Sequence, residues 1–357
     1  MATNSRSMQI TLPDDMVFDI LCRLPIESIV RFKSVCKSWN CMIQDPVFIN
    51  SQISWSKVHP PKLLLTADAE PSSFFLTETS EFKAKKLMDI NDVEDPIVMC
   101  SFNGLICIGS RTRLDPLKIC NPVTRESLEL PHSNFANRVE FHQVALGYDN
   151  ITKRYKVVRS YKAVETWSRI EILTLGETIW KKFSTRNVFY ERYGPVFHDG
   201  AFHWTFYLYR QLVQFDLSTD GFHISPPLFL APFPQVLHYL SLLNVEGRLL
   251  LTFDDLEIFY IFGVDGSRHY VIKEDLKRNG IEGDFSDFCN VDLISMPSPD
   301  NYILRVTMNR VEDRITTLVN YHTQNRTVTL LCSDDFNVIS FKPSLLSPNM
   351  VMSSGTV

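Results

Sequence analysis

The sequence predicts two units of opposite class. An all-α module of three short helices over residues 9–50 precedes an all-β domain over 61–345, an irregular β-propeller of about six blades. Three observations carry this. Apolar residues between 12 and 43 recur at helical intervals, with X-Pro breaks between the groups. From about residue 60 they fall instead into runs of four to eight, rich in Val, Ile, Leu, Phe and Tyr. Turn signals between those runs recur at nearly constant spacing. Residues 1–8 and 346–357 read as disordered ends and 51–60 as a linker.

The helices follow in order. Pro13 suits a first helical position, and Asp14 and Asp15 suit the positive end of a helix. Met16, Val17, Ile20, Leu21 and Leu24 then share one face. Pro25 ends that helix and opens a second, with Glu27 in its first turn and Ile29, Val30 and Phe32 behind. Ser34 can cap a third, striped by Val35, Trp39, Met42 and Ile43, and Asp45-Pro46 closes the unit. Some forty residues with neither disulfide nor metal cannot hide this much apolar surface. Either the rest of the chain or another protein must cover it.

The segment resembles an F-box. The matching residues are Leu12-Pro13, Leu24-Pro25 and Val35-Cys36-Lys37-x-Trp39, in family order and spacing. The resemblance implies docking onto a Skp-type adaptor and, through it, a cullin-based ubiquitin ligase. It implies a docking surface of Leu12, Pro13, Ile20, Leu21, Leu24, Pro25, Val35, Cys36 and Trp39. The competing reading is a helical cap on the domain that follows.

In the β-region two hairpins recur. The first places an acidic or amide residue before Gly: Asn103-Gly104, Asp199-Gly200 and Glu246-Gly247. Such pairs supply the positive backbone angles of tight turns. Gly104 and Gly200 lie 96 residues apart, two steps of 48, and Gly247 lies 47 further on. The missing middle step falls near Thr152 and a later one near Asp300-Asn301. The run that carries the second hairpin begins about sixteen residues after each first one, with scatter, at Ile119, Ile172, Phe215, Phe262 and Asn320. The hairpin is centred on Asn121-Pro122, Gly176-Glu177, Thr219-Asp220, Asp265-Gly266 and Thr323-Gln324. Two hairpins make four strands, and a repeat of this length is a propeller blade. Five blades are visible. Strands at 62–66 and 73–77, completed by the C-terminal Val338–Phe341, supply a sixth. An open β-sandwich would not require equal spacing.

This region resembles the F-box-associated, kelch-like domain of plant F-box proteins. The matching pieces are Phe102-Asn103-Gly104-Leu105, Cys120-Asn121-Pro122-x-Thr124, Leu146-Gly147-Tyr148-Asp149 and Tyr155-Lys156-Val157-Val158. His198-Asp199-Gly200-x-Phe202-His203-Trp204 and Phe215-Asp216-Leu217 match as well. The Gly-Gly of a strict kelch repeat and the Trp-Asp of a WD repeat are both missing.

Composition narrows the function. Hydrophobic residues are 45% and charged residues 22% of the 357, with a net charge of −5. That balance gives no basic footprint for nucleic acid. Lys83-Ala84-Lys85-Lys86, the densest basic run, reads as a solvated turn. The polar first eleven residues lack a signal-peptide core, and no apolar stretch is long enough to span a bilayer. The expectation is a cytoplasmic or nuclear protein with no membrane contact. The eight cysteines show no metal-ligand spacing and read as small apolar residues in a reducing compartment.

Catalytic constellations all have structural readings. His198, Asp199 and His203 flank a hairpin glycine, and alternation sends His203 to the face opposite Phe202 and Trp204. Adjacent carboxylates on a strand, Asp254-Asp255 and Asp334-Asp335, diverge. Neither a phosphate-binding Gly loop nor a Gly-x-Ser-x-Gly elbow is present. Cys36 falls in the docking helix. No catalytic residue, cofactor or metal is therefore expected. The reading is a two-ended substrate adaptor: helices dock the ligase and rim loops hold a client for ubiquitination. Aromatic and Arg residues anchor interfaces, which points to Trp167, Tyr190, Arg192, Tyr193, Tyr209 and Arg210. The alternatives are a non-degradative binding scaffold and, more remotely, a β-propeller lectin or sugar hydrolase.

Overall fold

The computed structural model describes residues 12–67, 70–79, 82–113, 115–133, 142–161, 168–185, 194–206, 211–225, 241–254, 257–264, 266–281, 289–309, 314–333 and 336–353. Four helices come first: α1 (Asp14–Cys22), α2 (Ile26–Phe32), α3 (Lys37–Gln44) and α4 (Pro46–Lys57). The expected disordered residues 1–8 lie outside the described residues.

Three local expectations are corrected. Asp45-Pro46 does not close the unit but opens α4, which runs through most of the expected linker 51–60. The reason is local: Asp45 Oδ1 accepts from Val47 N at 2.7 Å, and Pro46 stands where a helix has no use for an N–H. Cys36, not Ser34, caps α3, its Sγ accepting from Trp39 N at 3.5 Å. Ser34 instead turns its hydroxyl back to Arg31 O. Lys85 and Lys86 are not turn residues but open an outer strand.

The remainder is six four-stranded antiparallel sheets. Blade 1 is β4 (Pro96–Phe102), β5 (Leu105–Ser110), β6 (Lys118–Asn121) and β7 (Glu126–Glu129). Blade 2 is β8 (His142–Asp149), β9 (Arg154–Tyr161), β10 (Ser168–Thr174) and β11 (Lys181–Thr185). Blade 3 is β12 (Val196–His198), β13 (Ala201–Phe206), β14 (Gln211–Asp216) and β15 (Gly221–Ile224). Blade 4 is β16 (Ser241–Val245), β17 (Arg248–Asp254), β18 (Ile258–Gly263) and β19 (Arg268–Ile272), followed by α5 (Lys273–Arg278). Blade 5 is β20 (Cys289–Ser298), β21 (Asn301–Asn309), β22 (Arg314–His322) and β23 (Thr327–Ser333). Blade 6 joins both ends of the domain: β1 (Lys62–Ala67), β2 (Glu70–Thr77) and β3 (Lys85–Asp89), with β24 (Phe336–Phe341) inside β1. A last helix, α6 (Pro348–Ser353), occupies the tail expected to be disordered, because Leu346 and Val351 find a buried site.

The repeat read from the sequence maps onto this fold. The Gly104, Gly200 and Gly247 turns each join strands one and two of a blade, and the preceding Asn103, Asp199 and Glu246 also have positive φ. Two consecutive positive φ values define the turn whose twist suits a hairpin. The second hairpin joins strands three and four in every case. Inner strands touch in a closed circle, β4 to β8, β12, β16, β20, β24 and back to β4.

Each of the six gaps between neighbouring blades holds its own apolar cluster. Phe202, Trp204 and Phe215 of blade 3 meet Val158 and Ile170 of blade 2, and Leu64 and Phe74 of blade 6 meet Ile106 and Ile108 of blade 1. The gap between blades 1 and 2 also contains charge. Arg159, fully buried, donates to Asp115 Oδ1 at 2.8 Å and Tyr161 Oη at 3.3 Å, over the Trp180 ring at 4.9 Å. Burial pulls its pKa down, but Tyr161 and Asp115 more than offset that and hold the guanidinium charged.

Two expectations follow. A chain ending at Ser333 lacks β24, leaves the ring open and should lose cooperative unfolding by circular dichroism. Asp115→Ala leaves Arg159 buried without its carboxylate, which should cost about 3–5 kcal/mol in urea denaturation.

Candidate functional site

An exposed apolar row begins at the entrance to α1 and continues along one side of it. Leu12 stands just before the N-cap Pro13, Met16 and Ile20 lie about one turn apart on the helix, and the three are 52%, 51% and 48% exposed. Val17, Leu21 and Cys22 point the other way, into the core. The chain enters α1 through Pro13, whose carbonyl accepts from Met16 N and Val17 N, leaving the Pro13 ring exposed beside Leu12. Pro25 starts α2 in the same way, its carbonyl taking Ser28 N and Ile29 N, and is likewise exposed. Val35, at 57% exposure, and Cys36 stand at the entrance to α3.

Of the nine residues expected at the docking surface, Leu12, Pro13, Ile20, Pro25, Val35 and Cys36 are exposed. Leu24 and Trp39 are half-buried, and Trp39 packs edge-on to Phe32 at 5.6 Å. Leu21 is corrected: at 1% exposure it is a core residue. Its place one step from Ile20 rotates it a little more than a quarter-turn around α1, into the buried cluster. The single face expected for Met16, Val17, Ile20, Leu21 and Leu24 is split: Met16 and Ile20 are exposed, Val17 and Leu21 are buried, and Leu24 is half-buried. Met16 was not among the residues named for the docking surface, although it lies one turn from Ile20.

The client-side residues Trp167, Tyr190, Arg192, Tyr193, Tyr209 and Arg210 lie outside the described residues, as do the side chains of Asp254, Asp255, Asp334 and Asp335. His203 is buried, its ring Nε2 3.2 Å from His198 O within its own hairpin. Burial lowers its pKa. Phe202 and Trp204 enter the gap to blade 2 on the opposite face. Among the described residues no group of three His, Cys, Asp or Glu is placed to hold a metal ion, and no helix is long and apolar enough to cross a membrane.

The turn motifs acquire tertiary roles. Asn121 Oδ1 accepts from Val123 N at 2.8 Å and Thr124 N at 3.3 Å, which fixes the Asn-Pro-x-Thr turn. Gly147 lies so near Phe197 of blade 3 that a Cβ would stand 2.3 Å from its ring. Asp149 accepts from Ile151 N, Thr152 N and Thr152 Oγ1 and pairs with Lys156 at 3.2 Å. Lys156 in turn donates to Leu217 O of blade 3 at 2.6 Å. Gly147 and the Asp149–Lys156 pair thus shape a turn and also tie blade 2 to blade 3.

Residues 62–261 match the family described as F-box associated beta propeller domain, and residues 10–51 match the F-box domain. The chain belongs to the F-box-associated β-propeller family, with the F-box N-terminal to the propeller. Its relatives in Arabidopsis thaliana include the F-box/LRR-repeat/kelch-repeat protein At2g27520, 30% identical over 253 residues, covering 68% of each chain. F-box protein At1g53790 is 26% identical over 263 residues, 67% of this chain and 57% of that one. F-box protein At5g10340 is 27% identical over 311 residues, 75% of this chain and 69% of that one.

The Asp149 network makes acid stability testable. Burial raises its pKa, but the hydrogen bonds from Thr152, Ile151 and Lys156 outweigh this and leave it below the ordinary 3.8. A depressed carboxylate stabilises the fold above its unfolded pKa and loses that contribution as pH falls through its folded value. Asp149→Asn should therefore be less stable than wild type at pH 7, with the gap narrowing below about pH 4 in urea titrations.

Proposed function

We propose that this protein is the substrate-recognition subunit of a Skp/cullin/F-box ubiquitin ligase. Its F-box docks a Skp-type adaptor and, through it, a cullin, and its propeller presents a client protein for ubiquitination and degradation. One observation carries the reading. In a module that matches the F-box family, Leu12 at the entrance to α1 and Met16 and Ile20 on it stand in solvent, while Val17 and Leu21 of the same helix are buried. Exposed apolar rows of this kind mark protein partners.

No chemistry is asked of this chain. An adaptor raises the local concentration of a client beside the enzyme that carries ubiquitin, and that effect needs geometry rather than an acid, a base or a nucleophile. The work belongs to the cytoplasm or nucleus, where such ligases act. Rim loops set on rigid strands suit client capture, and Trp167, Tyr190, Arg192, Tyr193, Tyr209 and Arg210, which lie outside the described residues, remain the candidates read from the sequence.

The test is a pull-down of the full chain with a purified Skp-type adaptor. Ile20→Asp/Val35→Asp places charge on two exposed positions and should reduce adaptor binding by more than tenfold while leaving the melting temperature near that of wild type. A buried anchor at an interface typically contributes about 2 kcal/mol or more. Trp39→Ala should weaken both binding and stability, because Trp39 also packs on Phe32. Unchanged adaptor affinity in the double variant would remove this face from the site. Client capture with the proteasome blocked, comparing the full chain with one lacking residues 1–55, separates degradation from plain binding.

A further inference from the structure

After β24 the chain does not leave the fold but crosses from the propeller to the F-box. Lys342 Nζ donates to Lys57 O, the last residue of α4, at 2.7 Å. Ser344 Oγ donates to Asn103 O in the first turn of blade 1 at 2.6 Å. Asn121, fully buried in the second turn of that blade, donates its Nδ2 to both Ser344 O and Leu346 O, at 2.9 and 2.8 Å. Gly104 has no room for a side chain because of the same segment: a Cβ there would stand 2.2 Å from Ser344 Oγ and 2.6 Å from its backbone N. Leu345, Leu346 and Val351 are buried in one cluster that also holds Leu21, Ile29 and Phe48 of the helices and Leu105 and Ile119 of blade 1. The helix α6 then rests on β6 and β7.

We propose that residues 342–351 are a strap that fixes the F-box to the propeller as one rigid body. Four short helices cannot be stable on a core of their own size. Their inner face is completed by blade 1 and by the strap, and the two hairpin turns of blade 1 are shaped to receive it. Asn103, Gly104, Asn121 and Ser344 are positioning residues: they hold the strap against blade 1 and so set the orientation of one end of the molecule against the other. The coupling is independent of what the helices dock. Its consequence for a ligase, a constant distance between client rim and adaptor, rests on the function proposed above.

Backbone hydrogen exchange on the full chain without partner tests this, so its result is separable from any result with the adaptor. Two variants are compared with wild type: a chain ending at Pro343, which keeps β24, and Leu346→Asp, which keeps the length. Both should speed exchange in α1–α4 by at least tenfold while blades 3, 4 and 5 exchange as before. Unchanged protection in α1–α4 would overturn the proposal. So would an equal loss in every blade, which would make the segment a part of the propeller core instead of a joint.

Discussion

The pairing of β1 with β24, from Lys62 opposite Phe341 to Ala67 opposite Phe336, joins residues more than 260 positions apart in one ladder. Every other feature of the propeller relies on it. A blade buries its two faces only against its neighbours, so a ring left open at one gap exposes apolar faces at two blades. The closing strand is the inner one, where β24 also touches β4 and β20. Closure therefore fixes the last gap from both sides. It also delivers the chain, at Phe341, to the place where the strap begins.

The F-box resolves its excess of apolar surface by division. One face of α1 enters a core shared with blade 1, blade 2 and the C-terminal segment, and the other remains in water. The helical cap considered from the sequence thus accounts for one face of α1 only, and the exposed face is the one proposed for docking. Electrostatics adds a second seam beside the shared core. Glu27 of α2 accepts from Lys62 of β1 at 2.8 Å. Burial pushes the Glu27 carboxyl up, but the Lys62 contact together with a backbone hydrogen bond and the charge of Lys85 outweighs it, and the net pKa falls below the ordinary value.

Polar residues inside the propeller serve the junctions between blades more than the blades themselves. Lys156 reaches blade 3, Asn244 Nδ2 donates to Phe197 O, and Glu246 accepts from Ser295 Oγ and Met296 N of the next blade. Burial raises the Glu246 pKa against those hydrogen bonds. Each of these residues sits in or beside a turn and so combines local backbone chemistry with a contact to another repeat.

Much of this was legible in the sequence because its causes are local. Positive-φ turns need Asn-Gly, Asp-Gly or their equivalents, strands need runs of β-branched and aromatic residues, and equal spacing between turns implies equal blades. The sixth blade, split between residues 62–77 and 338–341, was foreseen for the same reason. What the sequence left open, or had wrong, depends on contacts distant along the chain. Asp45-Pro46 reads equally as a stop or a start until a buried site exists for Phe48 and Ile49. Leu21 and Ile20 are alike in composition and neighbours in sequence, and only the tertiary packing around α1 decides which is buried. Asn103 and Asn121 announce turns, but their role in holding Ser344 and Leu346 needs a partner more than 220 residues away. Local backbone preference is written residue by residue. The side of a helix that meets water is decided only by what packs against it from elsewhere in the chain.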